Sequence, residues 1–267
     1  MKRTIVLATA LFVFLLPASA QDWAKQSLEK SNRHQEWVQI KHDNRTVHAF
    51  IVYPETKGKA TAVVVIHEIF GMTDWVRSVA DQLAAAGYIA IAPDLLSGFG
   101  PNGGKSSDFP STDAAREANS KLDPDIVTAD LNATADYVKK LPSANGKLAV
   151  GGFCWGGGQS FRFATNRKDL KAAFVFYGGS PKDVSTITAP VYGFYGGNDG
   201  RITTAVPATT DAMKQAGKKY DPVIYENAGH GFMRLGEDPG GKEANHEANQ
   251  KAREQAWKRW LDLLKGL

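Results

Sequence analysis

The sequence predicts one α/β domain, built as a mostly parallel central sheet with helices on both faces. Two observations predict it. Runs such as "ATAVVVIHE" and "KLAVGGF" are continuously apolar rather than alternating, as expected of strands covered on both sides. Between such runs lie segments of helical period closed by glycine, among them "TDWVRSVADQLAAAG". Strands that alternate with helices imply parallel neighbours joined by crossovers.

The first twenty residues stand outside that pattern. "MKR" is a short basic start, "TIVLATALFVFLL" is apolar, and "PASA" ends in an A-x-A site before Gln21. This is the layout of a cleaved secretory signal, and the apolar run is short for a bilayer span of roughly 20 residues. Residues 1–20 are therefore expected to be a signal peptide, with export to a compartment such as the bacterial periplasm. Residues 21–35 read as a polar N-terminal extension, and residues 36–267 as the domain itself. The formal net charge of +4 is mild and scattered, which excludes a nucleic-acid binder. No later segment is apolar enough to hold the mature chain in a membrane.

Along the domain, "EWVQIKH" and "TVHAFIVYP" flank the turn "DNR" and alternate, so they predict an antiparallel hairpin at a sheet edge. "ATAVVVIHE" and "YIAIAPD" are buried strands around the helix already quoted. "LLSGFGPNGGKSSDFPST" reads as a long loop, either a pocket wall or a surface excursion. A helical segment broken near Pro124 follows, then the strand that ends at Cys154. "GGGQSFRFATN" predicts a helix, "LKAAFVFYGG" and "APVYGFYGGND" strands, "TAVPATTDAMKQAG" a helix, "DPVIYENAG" the last strand, and "KEANHEANQKAREQAWKRWLDLLKGL" a closing amphipathic helix.

The chemistry is concentrated at three strand ends. Cys154 is the sole cysteine, so it makes no internal disulfide, and a lone thiol in an exported protein is either packed or used. It stands in "VGGFCWGGG", where a strand runs through G-x-C-x-G into a helix. That is a nucleophile elbow with cysteine in place of serine. Gly152 and Gly156 permit the tight turn, and the helix start favours a thiolate. Asp199 ends the next-but-one strand, in "GGND", and His230 follows the last strand, in "NAGHGF". The chain order nucleophile, acid, histidine is that of the α/β-hydrolase triad. Singly, Asp199 is a plausible turn residue and His230 an ordinary loop histidine. Together, at successive strand ends, they point to catalysis. Backbone amides of Trp155 and of Ile69, in "HEIFGM", are the candidate oxyanion donors. Glu68 lies beside them at a buried strand end, where a carboxylate needs a partner.

These motifs resemble the dienelactone hydrolase (carboxymethylenebutenolidase) family of α/β-hydrolases. The resemblance rests on "EIFG" at Glu68 to Gly71, "GFCWGG" around Cys154, "NDG" at Asp199 and "AGHGF" at His230. It implies a thiol hydrolase that opens an enol-lactone through an acyl-enzyme. It further implies that Glu68 contacts the resting thiol and helps to activate it, and that Arg234 and Arg116 hold a substrate carboxylate. The expected ligand is thus a small anionic lactone or ester, bound by a monomer without cofactor. Two readings compete: a broad carboxylesterase or thioesterase, and a non-catalytic exported binding protein. Gly71 stands where a zinc H-E-x-x-H needs its second histidine, so no metal site is expected. The glycines at 156 to 158 do not fit G-x-G-x-x-G.

Overall fold

A computed structural model describes residues 22–267. The expected signal segment, residues 1–20, lies outside the described residues. Eight strands form one sheet in the order β1-β2-β4-β3-β5-β6-β7-β8. In chain order they are β1 (Gln35–His42), β2 (Arg45–Val52), β3 (Ala60–Ile66), β4 (Ile89–Pro93), β5 (Ala144–Phe153), β6 (Ala172–Phe176), β7 (Val191–Gly196) and β8 (Tyr220–Tyr225). β1 and β2 form the expected antiparallel edge hairpin, and β2 pairs antiparallel with β4. From β4 to β8 every neighbouring pair is parallel.

Among the described residues, nine helices accompany the sheet: α1 (Asp22–Glu29), α2 (Asp74–Ala85), α3 (Thr112–Ser120), α4 (Pro124–Lys139), α5 (Trp155–Asn166), α6 (Gly200–Thr203), α7 (Val206–Gln215), α8 (Phe232–Leu235) and α9 (His246–Lys265). The apolar runs explain why both sheet faces need cover. In β3, Val63 and Val65 face a core closed by α1, α2 and α9, with Trp75 and Trp260 fully buried. Val64 and Ile66 face the opposite core, closed by α4, α5 and α7 around Phe161, Val138 and Met213. Pro124 opens α4, with Asp123 capping the amide of Asp125, which is why the helical pattern breaks there.

The segment read as a polar extension is built into the body. Ala24 and Leu28, one helical turn apart on α1, are buried against the α2 side of the core. Arg33 then grips the buried Asp81 of α2 through two hydrogen bonds, at 2.9 and 2.6 Å. Two buried positions in eight are too few to show as a period, so the helix was not legible. The glycine-rich stretch after β4 is also more ordered than its composition suggests. The Asp94 carboxylate accepts from the Ser106 amide and hydroxyl, and the Ser106 oxygen accepts from the Met72 amide at 2.9 Å. The loop therefore braces the turn after β3. It supplies none of the residues lining the cavity described below.

Candidate active site

The C-terminal ends of β3, β5, β6, β7 and β8 open onto one cavity of about 850 Å³. A crevice outside the carboxyl ends of a parallel sheet is where open α/β folds bind ligands. Cys154 enters it from the turn between β5 and α5, with φ 56° and ψ −118°. That conformation costs a non-glycine residue about 1–3 kcal/mol and persists only where the surroundings over-determine it. Here they do. The Cys154 amide donates to the Phe176 carbonyl at 3.0 Å, and its own carbonyl accepts from the amides of Gly157 and Gly158. The glycines permit the crossing that follows. A Cβ on Gly152 would stand 2.0 Å from the Gly156 carbonyl oxygen, and one on Gly156 would stand 2.3 Å from that of His67.

The half-buried thiol faces His230, whose Nε2 lies 3.0 Å from Sγ. The other ring nitrogen, Nδ1, donates to Asp199 Oδ2 at 2.5 Å. Asp199 is nearly buried at the end of β7, where its carbonyl accepts from the Ile202 and Thr203 amides. His230 is delivered by the turn after β8, and Gly231 follows in the left-handed region at φ 78°. The three side chains therefore form one hydrogen-bonded line, carboxylate to imidazole to thiol. Tyr177, at φ 40° after β6, sets its ring edge against the imidazole at 5.1 Å between centroids. Among the described residues its buried hydroxyl has no hydrogen-bond partner, and burial pushes its pKa well above the ordinary phenol value.

Burial alone would lower the pKa of His230. The hydrogen bonds to Cys154 and Asp199, with their charges, outweigh it, and the pKa lies above the ordinary 6.5. A histidine raised in the folded state stabilises the fold fully below its unfolded value, and that contribution disappears as pH rises through the folded value. Asp199→Asn removes the charged acceptor. The stability gap between wild type and variant is thus expected to be widest below about pH 6.5 and to shrink as pH rises beyond it. Urea unfolding at a series of pH values measures it; a gap that stays constant with pH would contradict the coupling.

A second histidine, His67, lies at the end of β3 beside the site and is fully buried. Burial lowers its pKa, so it stays neutral. Nδ1–H donates to the Glu68 carbonyl at 2.7 Å, and Nε2 accepts from the Leu95 amide at 3.2 Å. Its ring stacks on Trp155, with 5.5 Å between centroids and 16° between planes. His67 thus ties the turn after β3 to the start of α5. Those two turns carry the amides of Ile69 and Trp155. Both residues line the cavity, and among the described residues neither amide donates to another group of the chain.

Glu68 makes a different contact from the one the resemblance implies. Its carboxylate, 2% exposed, accepts from Arg234 Nε at 2.7 Å, while Sγ is taken up by His230. The reason is electrostatic: a buried carboxylate needs a cation, and Arg234 on α8 reaches it. For Arg234, burial lowers the pKa but the Glu68 charge and hydrogen bond raise it further, so the guanidinium stays charged. Its plane lies over Phe70 at 5.6 Å. Arg116, exposed on α3, stands at the cavity mouth near Ile69.

All the side chains singled out in the sequence meet at this place, with Asp199 behind His230. Sequence reasoning missed Arg162 and Gln159 of α5, Tyr177, and Arg201 of α6, which also line the cavity. They belong to no motif. The one available signal was position, since Arg201 follows Asp199 by two residues at the same sheet edge. Among the described residues, no group of three or more His, Cys, Asp or Glu side chains is placed to hold a metal ion.

Comparison with known proteins shows the family and the fold. The profile of the dienelactone hydrolase family matches residues 47–267. A Salmonella typhimurium protein named as a carboxymethylenebutenolidase is 35% identical over 219 residues, 77% of each chain. An Escherichia coli protein of the same name is 32% identical over 225 residues, 79% of each. A crystal structure named for a dienelactone hydrolase of Klebsiella pneumoniae superposes with a TM-score of 0.75 at 25% identity, covering 89% of this chain and all of that one.

Proposed function

Because the chain belongs to the dienelactone hydrolase family and is a hydrolase of α/β fold, we propose that it opens an enol-lactone or a related small anionic ester through a thioester on Cys154. The observation that supports this most is the unbroken line from Asp199 through His230 to Sγ, at 2.5 and 3.0 Å. Nucleophile and base stand within hydrogen-bond reach, and a third group orients the base.

His230 Nε2 takes the thiol proton as Sγ attacks the carbonyl carbon. Asp199 holds Nδ1–H and stabilises the imidazolium that forms. The carbonyl oxygen becomes an oxyanion, and the amides of Ile69 and Trp155 receive it; one such donor is worth roughly 3–4 kcal/mol in comparable sites. When the tetrahedral species collapses, the carbon–oxygen bond of the ring breaks and the His230 proton goes to the leaving oxygen. For an enol-lactone that oxygen stays in the molecule as an enol, which becomes a ketone. Water then attacks the thioester, giving its proton to His230, and the thiol is released with that proton as the acid forms. Arg234 and Arg116 favour an anionic substrate through charge-assisted hydrogen bonds. Glu68, held by Arg234 in this arrangement, leaves the thiol to His230 and fixes the arginine at the cavity floor.

Acid quenching of the reduced protein during turnover of a dienelactone, followed by peptide mass spectrometry, tests the proposal. The expected result is an acyl adduct on the peptide that carries Cys154, together with steady release of an oxo-acid. An intact lactone and an unmodified Cys154 would favour the binding-protein reading instead.

A further inference from the structure

Among the described residues, four arginines line the cavity, against one acidic side chain, Glu68. Two of the four already have carboxylate partners. Arg234 is paired with Glu68, and Arg162 turns to α4, bonding the Pro124 carbonyl at 2.7 Å and Asp125 at 3.1 Å. Among the described residues, Arg116 and Arg201 have no carboxylate partner. These two cations stand at opposite ends. Arg116 shares a wall with Ile69, beyond the end of β3. Arg201 is the second residue of α6, beyond the end of β7. Three strand intervals separate β3 from β7, roughly 14 Å at the usual spacing of about 4.8 Å, and Cys154 at the end of β5 lies between.

The cavity also offers an unpaired acceptor. Gln159 of α5 lines the same cavity, and among the described residues its buried side-chain carbonyl oxygen has no hydrogen-bond partner. Buried polar atoms are normally paired, so this acceptor is matched by water or by an N–H or O–H of the ligand, and not by an anionic group. The volume of about 850 Å³ also exceeds the need of a single five-membered ring, since drug-sized ligands occupy sites of about 300–1,000 Å³.

We propose that the Arg201 end of the cavity is a second anion subsite. The substrate is then a lactone or ester bearing two anionic groups, one on each side of the carbonyl that Cys154 attacks. The inference rests on the hydrolase reading, which places the first anion at Arg116 and Arg234. Arg201 receives the second through a charge-assisted hydrogen bond. Two cations on either side of the nucleophile also fix the direction in which an extended dianion lies. That positions its central carbonyl over Sγ and near the Ile69 and Trp155 amides.

Calorimetric titration of the wild-type protein with suberate and with octanoate, of equal carbon count, separates one anchor from two without relying on turnover. Suberate is expected to bind at least about tenfold more tightly, the increment of one charge-assisted hydrogen bond. Arg201→Gln should bring the ratio of the two dissociation constants close to one, and Arg201→Lys should keep part of it. Arg201 is exposed, and circular dichroism checks that each variant is folded. A wild-type ratio near one, no binding of suberate, or a ratio unchanged in Arg201→Gln would overturn the subsite. Turnover of ester panels is read separately. Discrimination without hydrolysis sinks the hydrolase reading and keeps the subsite, whereas hydrolysis without discrimination does the reverse.

Discussion

Replacing Cys154 by alanine is expected to lower kcat/KM on an enol-lactone by about 10⁴-fold or more, with the fold intact. The size follows from the unit it breaks: nucleophile, base and orienting acid act together, so loss of the nucleophile costs nearly as much as loss of all three. The residual rate would be what the two amides and the arginines still supply by binding. The fold should survive because the bonds that hold the elbow run through the Cys154 backbone, to Phe176, Gly157 and Gly158, and not through its thiol. His230→Ala should fall in the same range, and the double variant should be little worse than either single one. Steady-state kinetics on the three proteins, beside thermal unfolding, decide the matter. Additive losses would mean that the thiol and the imidazole do not act as one unit.

The second large effect is expected from a residue with no chemistry. A methyl group on Gly156 would meet the His67 carbonyl oxygen at 2.3 Å and the Ile66 carbonyl oxygen at 2.6 Å. Both are backbone atoms at the end of β3, which cannot turn aside, so α5 must lift. Overpacking of this kind costs about 1–3 kcal/mol, and more where backbone meets backbone. Lifting α5 also carries the Trp155 amide away from that of Ile69, and one oxyanion donor is worth about 10²–10³ in rate. Gly156→Ala should therefore lose both stability and at least about 100-fold in kcat. Gly158 is the comparison: a Cβ there comes no closer than 3.5 Å to the Gly179 oxygen, and alanine favours a helix by about 1 kcal/mol. Its alanine variant should be as stable as wild type or more so. Equal stability of the two variants in denaturant unfolding would remove the packing argument.

How much of this was legible depended on which physics wrote it into the chain. The buried strands read clearly because two covered faces demand unbroken apolar runs, as in β3 and β5. The elbow read clearly because its crossing tolerates only glycine at 152 and 156. Asp199 and His230 could be placed because parallel connections put every strand's C-terminal turn at the same edge. What stayed hidden has no period. Helix α1 is anchored by Ala24, Leu28 and an ion pair 48 positions away, between Arg33 and Asp81. Helices α6 and α8 have four residues each, too few for a pattern. The partner of Glu68 was misplaced for a related reason: Arg234 lies 166 positions away, and only the folded chain says which of two polar neighbours meets the carboxylate.

The stacked pair of His67 and Trp155 has a mechanical consequence. The imidazole spends one nitrogen on the turn after β3 and the other on the segment after β4, and its flat face presses on the first residue of α5. These pieces form one stiff jaw, so thermal breathing cannot separate the two amide donors without unstacking a pair of rings. No comparable pin, among the described residues, ties Arg116 or Arg201 to that jaw. Adjustment to a guest is therefore expected of the outer rim, where Arg116 and Arg201 are exposed, and not of the pinned floor.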